Sequence, residues 1–267
     1  MIAALPWYDL AELRGWTDRF WTGWATHARA LGVDAPETLD RNTDPYALLE
    51  APELLVSQIC GYVVPALGLG RVIPLMTPRY TAPGCDGSHY RSVIAVGPRV
   101  RVARLEELRG ARCAINDPLS HSGCNSLRLL VGPLHRGGRF FSEVIVTGAH
   151  ARSAEALVLD RADVAALDCV TWALLQRARP ALTAQLRVIG RTAAAPAPPL
   201  VTSAHTPPAV VAALRESLRR WLADPTSAEA RSALLFDGVD LRPADDYTPM
   251  MTQAASVHAL GYHELGG

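Results

Sequence analysis

Short apolar runs alternate with amphipathic segments along most of the chain. In its middle part, four runs of four to seven residues, each bounded by turn residues, predict β-strands at 90–96, 112–115, 141–146 and 163–167. The segments between them carry apolar residues at helical spacing, as in Leu127, Leu130, Val131 and Leu134. Strands and helices that alternate in this way predict an α/β protein with mainly parallel sheets.

The two ends of the chain follow the same pattern. Residues 2–5 and 53–57 predict short strands, and residues 10–31 predict a helix that ends at Gly32. Thr206 followed by Pro207 predicts the N-cap and the first residue of a further helix.

Two breaks in composition, the turn-rich segment 83–88 and the proline-rich segment 193–199, divide the chain into three parts. The middle part has the size of a complete α/β unit, whereas the flanking parts are too small to be stable alone. We therefore predict a discontinuous lobe 1, from residues 1–87 and 200–267, and a lobe 2, from residues 88–199. A chain that passes twice between lobes predicts a clamshell joined by two crossover strands, with its ligand cleft between the lobes.

The charge balance argues against several classes of partner. The chain has 26 basic and 26 acidic side chains and no basic run, so we expect neither a nucleic-acid partner nor an electrostatic membrane anchor. No apolar run approaches the roughly 18 residues that a membrane span needs. The first residues lack the cationic region of a secretory signal. We therefore expect a cytoplasmic protein, or a periplasmic one if a signal has been removed.

The spacing of cysteine and histidine predicts no metal site. The five cysteines are dispersed without a C-x-x-C pair, so we expect free and mostly buried thiols. His258 and His263 are five residues apart, which does not align two ligands on one helix face. We expect neither a bound metal nor a cofactor.

The strongest chemical signal is the run Asn116-Asp-Pro-Leu-Ser-His-Ser-Gly-Cys-Asn125, which lies between a predicted strand and a predicted helix. The free N–H groups and the dipole of a helix N-terminus favour a bound anion. Ser120 and Ser122 can add hydroxyl donors, His121 its backbone N–H, and Gly123 lets a ligand approach the backbone. The alternative is a serine that only caps the helix.

Further candidates lie at other strand ends. His150, in Thr147-Gly-Ala-His150, can donate to an oxyanion or serve as a capping residue. Asp168 follows a strand and can accept from a ligand amine or cap the next helix. Weaker candidates, also next to predicted strand ends, are Tyr90, Ser57, Gln58 and Tyr8.

These segments, taken in order, resemble the phosphate/phosphonate-binding family of periplasmic solute-binding proteins. The matching segments are Tyr90-Arg-Ser-Val, Leu105-Glu-Glu-Leu-Arg-Gly110, Asp117-Pro-Leu-Ser-His-Ser-Gly123, Gly148-Ala-His150 and Ala162-Asp-Val-Ala. The similarity is clearest over residues 88–172.

The resemblance implies a type II binding fold, in which two lobes joined by two crossover strands close on a tetrahedral oxyanion. It implies that Ser120, His121 and Ser122 hold the anionic oxygens, with Tyr90 and His150 as further donors.

The chain departs from the family pattern at two points. The family members place an acid shortly after the "Asp-Val-Ala" strand to hold a ligand amine, and Val170 stands at that position here. Asp168 is the nearest replacement, so an aminophosphonate ligand is in doubt. The second departure is that the first residues lack the pattern of a secretory signal, so we expect none in this chain.

Three functions fit this pattern. The first is binding of a small anionic ligand, such as phosphate or a phosphonate, with an ABC-transporter permease as partner. The second is a cytoplasmic enzyme on the same fold, of the kind that makes menaquinone or thiamin precursors. The third is a ligand-sensing domain with a signalling partner. We favour the first, because the sequence contains no coherent nucleophile–base pattern and no G-x-S-x-G elbow.

Overall fold

Twelve strands lie within residues 1–265, the part of the chain that the computed structural model describes. They are β1 (Ile2–Ala4), β2 (Leu54–Gln58), β3 (Val72–Tyr80), β4 (His89–Tyr90), β5 (Ser92–Val96), β6 (Arg112–Ile115), β7 (Glu143–Val146), β8 (Val164–Asp168), β9 (Arg187–Arg191), β10 (Ala195–Pro196), β11 (Leu200–Ser203) and β12 (Phe236–Asp240).

The α-helices of the same residues are α1 (Arg14–Arg29), α2 (Val63–Ala66), α3 (Ser126–Val131), α4 (His150–Val158), α5 (Cys169–Ala178), α6 (Pro180–Thr183), α7 (Pro208–Ala223), α8 (Ala228–Ala233) and α9 (Thr248–Ala259). Among residues 1–265, no helix has both the length and the apolar composition to cross a bilayer.

The chain divides into two units. The first unit comprises Met1–Thr81, Asp86–Ser88 and Pro196–Tyr247, and the second comprises Ala82–Cys85, His89–Ala195 and residues 248–265.

The sheet of the first unit has the strand order β1-β2-β11-β3-β12. β1 is parallel to β2, and β11 is antiparallel to both β2 and β3. β12 is antiparallel to β3. Three of the five strands, β1, β2 and β3, therefore run in one direction. All five residues of β2 are buried, as expected for a central strand covered on both faces.

Two long helices, α1 and α7, pack against each other in the first unit. Trp24 of α1 is fully buried, and its indole Nε1 donates to the hydroxyl of Ser217 at 2.9 Å. Phe20 and Trp221 form an edge-on ring pair between the same two helices. A buried tryptophan needs an acceptor for its N–H, and Ser217 supplies one across the contact between α1 and α7.

The sheet of the second unit has the strand order β7-β6-β8-β5-β9. β6 is parallel to both β7 and β8, while β5 is antiparallel to β8 and to β9. Four of the five strands thus run in one direction, with β5 as the exception. The prediction of an α/β protein with mainly parallel strands is confirmed in both units.

Residues 248–265 lie with the second unit, whereas the predicted lobe 1 included them. Their apolar residues are buried in the core of the second unit: Val257, Tyr262 and Leu265 are 2%, 2% and 3% exposed. A local pattern carries no information on which sheet a terminal helix covers, which is why the predicted boundary differs. Gly266 and Gly267, the last residues of that predicted lobe, lie outside the described residues.

Thr206 does not cap the helix that follows it. Pro207 is the N-cap of α7, which begins at Pro208. The Thr206 hydroxyl is instead paired with the Thr202 hydroxyl at 2.7 Å, so it is engaged with the preceding strand.

We predict that Val257→Ala destabilises the protein by about 1–3 kcal/mol, because it removes two buried methyl groups from the second unit. The free energy of unfolding in urea measures the effect. Met251→Ala, at a position of the same helix that is 37% exposed, is the matched control and should change stability by less than about 0.5 kcal/mol. Equal effects of the two changes would contradict the packing of α9 on this core.

Candidate functional site

The candidate site lies where three parallel strands of the second unit end. β6, β7 and β8 are neighbours in the sheet, so their carboxyl ends meet at one edge. The loops that follow β6 and β7 are held together by backbone hydrogen bonds from Thr147 N–H to the Ile115 carbonyl and from Gly148 N–H to the Asn116 carbonyl. The carboxyl edge of such a sheet is the usual place for a ligand in α/β proteins.

After β6 the chain enters a helix through one wide turn. His121–Asn125 has π-helical geometry and continues into α3. Ser120 is the N-cap, and its hydroxyl accepts a hydrogen bond from the Gly123 N–H at 3.0 Å. The capping role considered for Ser120 is therefore observed.

Ser122 and His150 meet at this helix N-terminus. The Ser122 hydroxyl lies 2.8 Å from Nε2 of His150, the first residue of α4, and 3.3 Å from the Ser120 hydroxyl. Ser120, His121 and Ser122 are all buried, at 6%, 4% and 4% exposure. The structure thus brings together four sequence-predicted positions from two loops, Ser120, Ser122, Gly123 and His150.

Ser92, which we did not single out from the sequence, supports this turn. Its hydroxyl donates to the backbone carbonyl of Ser122 at 2.8 Å, and Ser126 donates to the same carbonyl at 2.8 Å. The Ser92 N–H is itself held by the Thr192 hydroxyl at 2.8 Å. The sequence signal was present, since Ser92 is the serine of the Tyr90-Arg-Ser-Val segment.

Gly123 is required by a close approach. A Cβ atom at this position would lie 1.8 Å from Oδ1 of Asn116 and 3.1 Å from Cε1 of His150. The absence of a side chain therefore lets the Asn116 amide and the His150 ring pack against the turn.

Two asparagine side chains at the ends of the motif were also missed by the sequence analysis. Within the described part of the chain, Oδ1 of Asn116 and Nδ2 of Asn125 are buried without a hydrogen-bond partner. A buried amide atom left unpaired costs free energy, about 1–3 kcal/mol. One of these atoms is an acceptor and the other a donor, and both lie within the 116–125 segment. Buried groups of this kind typically form a hydrogen bond with a ligand or an ordered water.

Burial sets the charge of the two histidines. It lowers the pKa of His121 to about 4 and that of His150 to about 4, and for His150 a backbone contact with Ala166 opposes the shift weakly. Both rings are therefore neutral at pH 7, and each offers one N–H donor and one acceptor nitrogen.

Asp168 and Tyr90 lie next to Ser92, Asp168 across the sheet and Tyr90 two positions earlier in the chain. Asp168 is buried at the end of β8, and its Oδ1 accepts from the N–H groups of Val170 and Thr171, so it caps α5. It is the register partner of Ser92 across the β5–β8 pair, which places it beside the residue that holds the Ser122 carbonyl. Tyr90 ends β4 and is buried at 1% exposure.

Tyr8, Ser57 and Gln58 belong to the first unit. Gln58 Nε2 donates to the Tyr80 hydroxyl and to the Pro198 carbonyl, each at 3.0 Å. Tyr8 stacks edge-on against Tyr80, with ring centroids 5.0 Å apart, and lines a pocket of this unit together with Gln58. Ser57 is fully buried, and its hydroxyl donates to the Gln58 carbonyl at 3.4 Å.

The fold is that of the type II periplasmic-binding-protein class. The family model for the ABC transporter, phosphonate, periplasmic substrate-binding protein matches residues 60–252, which is most of the chain. The chain therefore belongs to this phosphonate substrate-binding family, as its motifs led us to expect.

Solved structures share the fold over nearly the whole chain. PhnD1 from Prochlorococcus marinus, in complex with methylphosphonate, has a TM-score of 0.77 at 11% identity and covers 96% of this chain and 98% of its own. PA3383 from Pseudomonas aeruginosa is a binding protein component of an ABC phosphonate transporter. It has a TM-score of 0.75 at 14% identity, and the match covers 97% of this chain and 87% of PA3383. XAC2383 from Xanthomonas citri, bound to chloride, has a TM-score of 0.72 at 17% identity, and the match covers 98% of this chain and 99% of XAC2383. No curated protein matches the sequence.

We predict that Gly123→Ala destabilises the protein by about 1–3 kcal/mol, because the new methyl group displaces Asn116 and His150. Gly138→Ala is the matched control in the same unit, since a Cβ there meets no atom within 4 Å. Urea unfolding of both variants measures the difference. A Gly123→Ala protein as stable as Gly138→Ala would show that the turn is looser than described.

We predict that acidification destabilises the protein through His150. An unfolded histidine titrates near pH 6.5, so between about pH 6.5 and 4 the unfolded chain binds a proton that the folded chain excludes. The free energy of unfolding then falls with falling pH by about 1.4 kcal/mol per pH unit for each such histidine.

Urea unfolding between pH 7 and 4.5 measures this slope, and His150→Gln should make it shallower. His205→Gln, at an exposed position, is the control and should keep the slope of the unmodified protein. The Arg112 guanidinium holds the pKa of the Asp163 carboxyl below its usual value. Such carboxyl groups therefore lose their contribution to stability at a lower pH than the range measured here. A slope unchanged in His150→Gln would show that the folded protein accommodates a protonated His150.

Proposed function

We propose that this protein binds a phosphonate or a closely related organic oxyanion, as the substrate-binding component of an ABC transporter. The observation that carries the proposal is the meeting of the Ser122 hydroxyl and the His150 ring, 2.8 Å apart, at the N-terminus of the helix that begins at His121. Family membership supplies the ligand class, and the helix N-terminus supplies a physical reason for it.

The proposed anion is held by dipoles. Ser120 and Ser122 offer hydroxyls, the N–H groups at the start of the helix point out of its end, and His150 offers a neutral ring. A phosphonate oxygen that enters between Ser122 and His150 would replace their mutual hydrogen bond with a charge-assisted one to each. Binding would also favour the protonated form of His150, because an anion nearby raises the pKa of a histidine.

Asn116 and Asn125 extend the proposed site. Nδ2 of Asn125 is a buried donor suited to an anionic oxygen, and Oδ1 of Asn116 is a buried acceptor. An acceptor in an anion site requires a hydrogen on the ligand, such as the hydroxyl of a singly protonated phosphonate. We therefore propose that the site accepts a monoanionic phosphonate in preference to an oxyanion without a proton, such as sulfate.

We keep the remaining predicted residues as proposed ligand contacts. In the second unit these are His121, Gly123, Tyr90 and Asp168. In the first unit they are Tyr8, Ser57 and Gln58, of which Tyr8 and Gln58 line a pocket walled mainly by apolar and aromatic side chains.

The family description supports two further proposals. We propose the periplasm as the compartment and an ABC permease as the protein partner, because the matching family comprises periplasmic substrate-binding proteins of ABC transporters.

The Ser122–His150 hydrogen bond also has the arrangement of a nucleophile and its general base. The lowered pKa of His150, about 4, argues for binding over catalysis, because a general base works best with a pKa near the working pH. Asp168, the buried carboxylate beside Ser92, caps α5.

We predict that Ser122→Ala weakens methylphosphonate binding by about 10- to 100-fold, because it removes a charge-assisted hydrogen bond. Isothermal titration calorimetry measures the dissociation constant. Ser142→Ala is the matched control: this serine is exposed in the same unit, and its hydroxyl donates to the Ala111 carbonyl at 3.3 Å. Equal affinities in the two variants would place the anion elsewhere.

The ligand class is tested by thermal unfolding with methylphosphonate, phosphate, sulfate and acetate. A ligand at about 100 times its dissociation constant adds about 2.7 kcal/mol of stability. We expect methylphosphonate to stabilise more than sulfate, and the larger change Ser122→Leu to abolish the effect. Stabilisation by acetate alone, or by none of the four, would contradict the proposed function.

A further inference from the structure

Two cysteines far apart in sequence lie side by side in the second unit. The Sγ atoms of Cys85 and Cys169, separated by 84 positions, are 3.6 Å apart. Both are free thiols in this structure. A disulfide has an S–S distance of about 2.05 Å, so a shift of about 1.5 Å joins the two sulfurs.

The chain around Cys85 makes this approach feasible. Gly84 has a φ of +113°, which glycine adopts without strain. A Cβ at Gly84 would lie 3.3 Å from Cβ and 3.4 Å from Sγ of Cys169. The glycine thus lets the backbone next to Cys85 lie against Cys169. On the other side, Cys169 is fixed as the first residue of α5 by the Asp168 cap and by its own N–H, which donates to the Arg91 carbonyl at 3.0 Å.

The two thiols differ in access. Cys85 is partly exposed, whereas Cys169 is 0% exposed. An external reagent can therefore reach Cys85 first, and Cys169 can attack only a group already attached to Cys85.

We propose that Cys85 and Cys169 form a redox-active dithiol, which closes to an intramolecular disulfide by exchange with an external disulfide such as oxidised glutathione. Cys85 loses its proton, its thiolate attacks one sulfur of the external disulfide, and the released thiolate takes up the proton. Cys169 then loses its proton and attacks Sγ of Cys85, which expels a second external thiolate that is protonated in turn. Two protein thiols are oxidised, one external disulfide is reduced to two thiols, and no net proton is released.

The surroundings of Cys85 favour slow exchange. The hydrogen bond to Cys169 and burial raise the pKa of the Cys85 thiol. The attacking species is the thiolate, so exchange should accelerate as the pH rises.

The disulfide would link the 82–85 segment to the start of α5, next to the proposed anion site. Cys85 is the last residue of the 82–85 segment, after which the chain returns to the first unit at Asp86. Cys169 directly follows Asp168, the register partner of Ser92. The dithiol chemistry does not depend on the proposed anion binding, and its test needs no anionic ligand.

The test is equilibration of the full chain with glutathione buffers of rising oxidised fraction, followed by acid quenching, alkylation and mass spectrometry. We expect the number of free thiols to fall from five to three, with a crosslink between the peptides of Cys85 and Cys169. The oxidised protein should also melt about 5–10 °C higher than the reduced protein, because the bond closes a long loop.

Three single variants test the proposed order in which the two cysteines react. Cys169→Ser should stop at a mixed disulfide of glutathione with Cys85, and Cys85→Ser should leave Cys169 unmodified. Cys60→Ser, a buried cysteine of the first unit, is the matched control and should still lose two thiols. The proposal is overturned if the unmodified protein keeps both thiols alkylatable in fully oxidised glutathione, or if it stops at the mixed disulfide.

Discussion

The parallel pairing of β6 with β7 and β8 is the constraint on which the candidate site depends. Because the three strands run in the same direction, the turn at 120–125, the start of α4 and the start of α5 emerge at one sheet edge. His150 reaches Ser122 only through this alignment. Ser92 lies on β5, which is antiparallel to β8. Its hydroxyl donates to the Ser122 carbonyl and so holds the turn in place.

The electrostatics of this edge follow from burial. His121 and His150 are neutral at pH 7 because a charged ring is costly away from water. In the proposed site, the attraction for an anion would therefore come from N–H groups, hydroxyls and a helix dipole, which are already oriented and need little rearrangement on binding. The same burial leaves amide atoms of Asn116 and Asn125 unpaired, a cost that a ligand can remove.

Local patterns predicted four strands of the second unit but missed its strand β9 and its helix α9. The strand predicted at 112–115 coincides with β6, and the strand predicted at 163–167 begins and ends one residue before β8. By contrast β3 was missed, because Pro74 and Pro78 interrupt its apolar run, and proline is rare inside a strand. Two carbonyls of that strand, those of Pro74 and Leu75, accept from the Arg215 guanidinium, an arrangement that no local pattern contains.

The sequence by itself determined the fold class, the family and the segments from which the candidate site is built, because each of these rests on the order of short motifs along the chain. Only the tertiary structure decided which groups meet. The Ser120 cap, the Ser122–His150 contact, the packing of residues 248–265 on the second unit and the proximity of Cys85 to Cys169 all join residues through space. Local periodicity reports which face of a segment is buried, but the partner of that face is set by sheet order and register. For this reason the Ser120-His121-Ser122-Gly123 turn was visible in the sequence, while its contacts with Asn116, Ser92 and His150 were not.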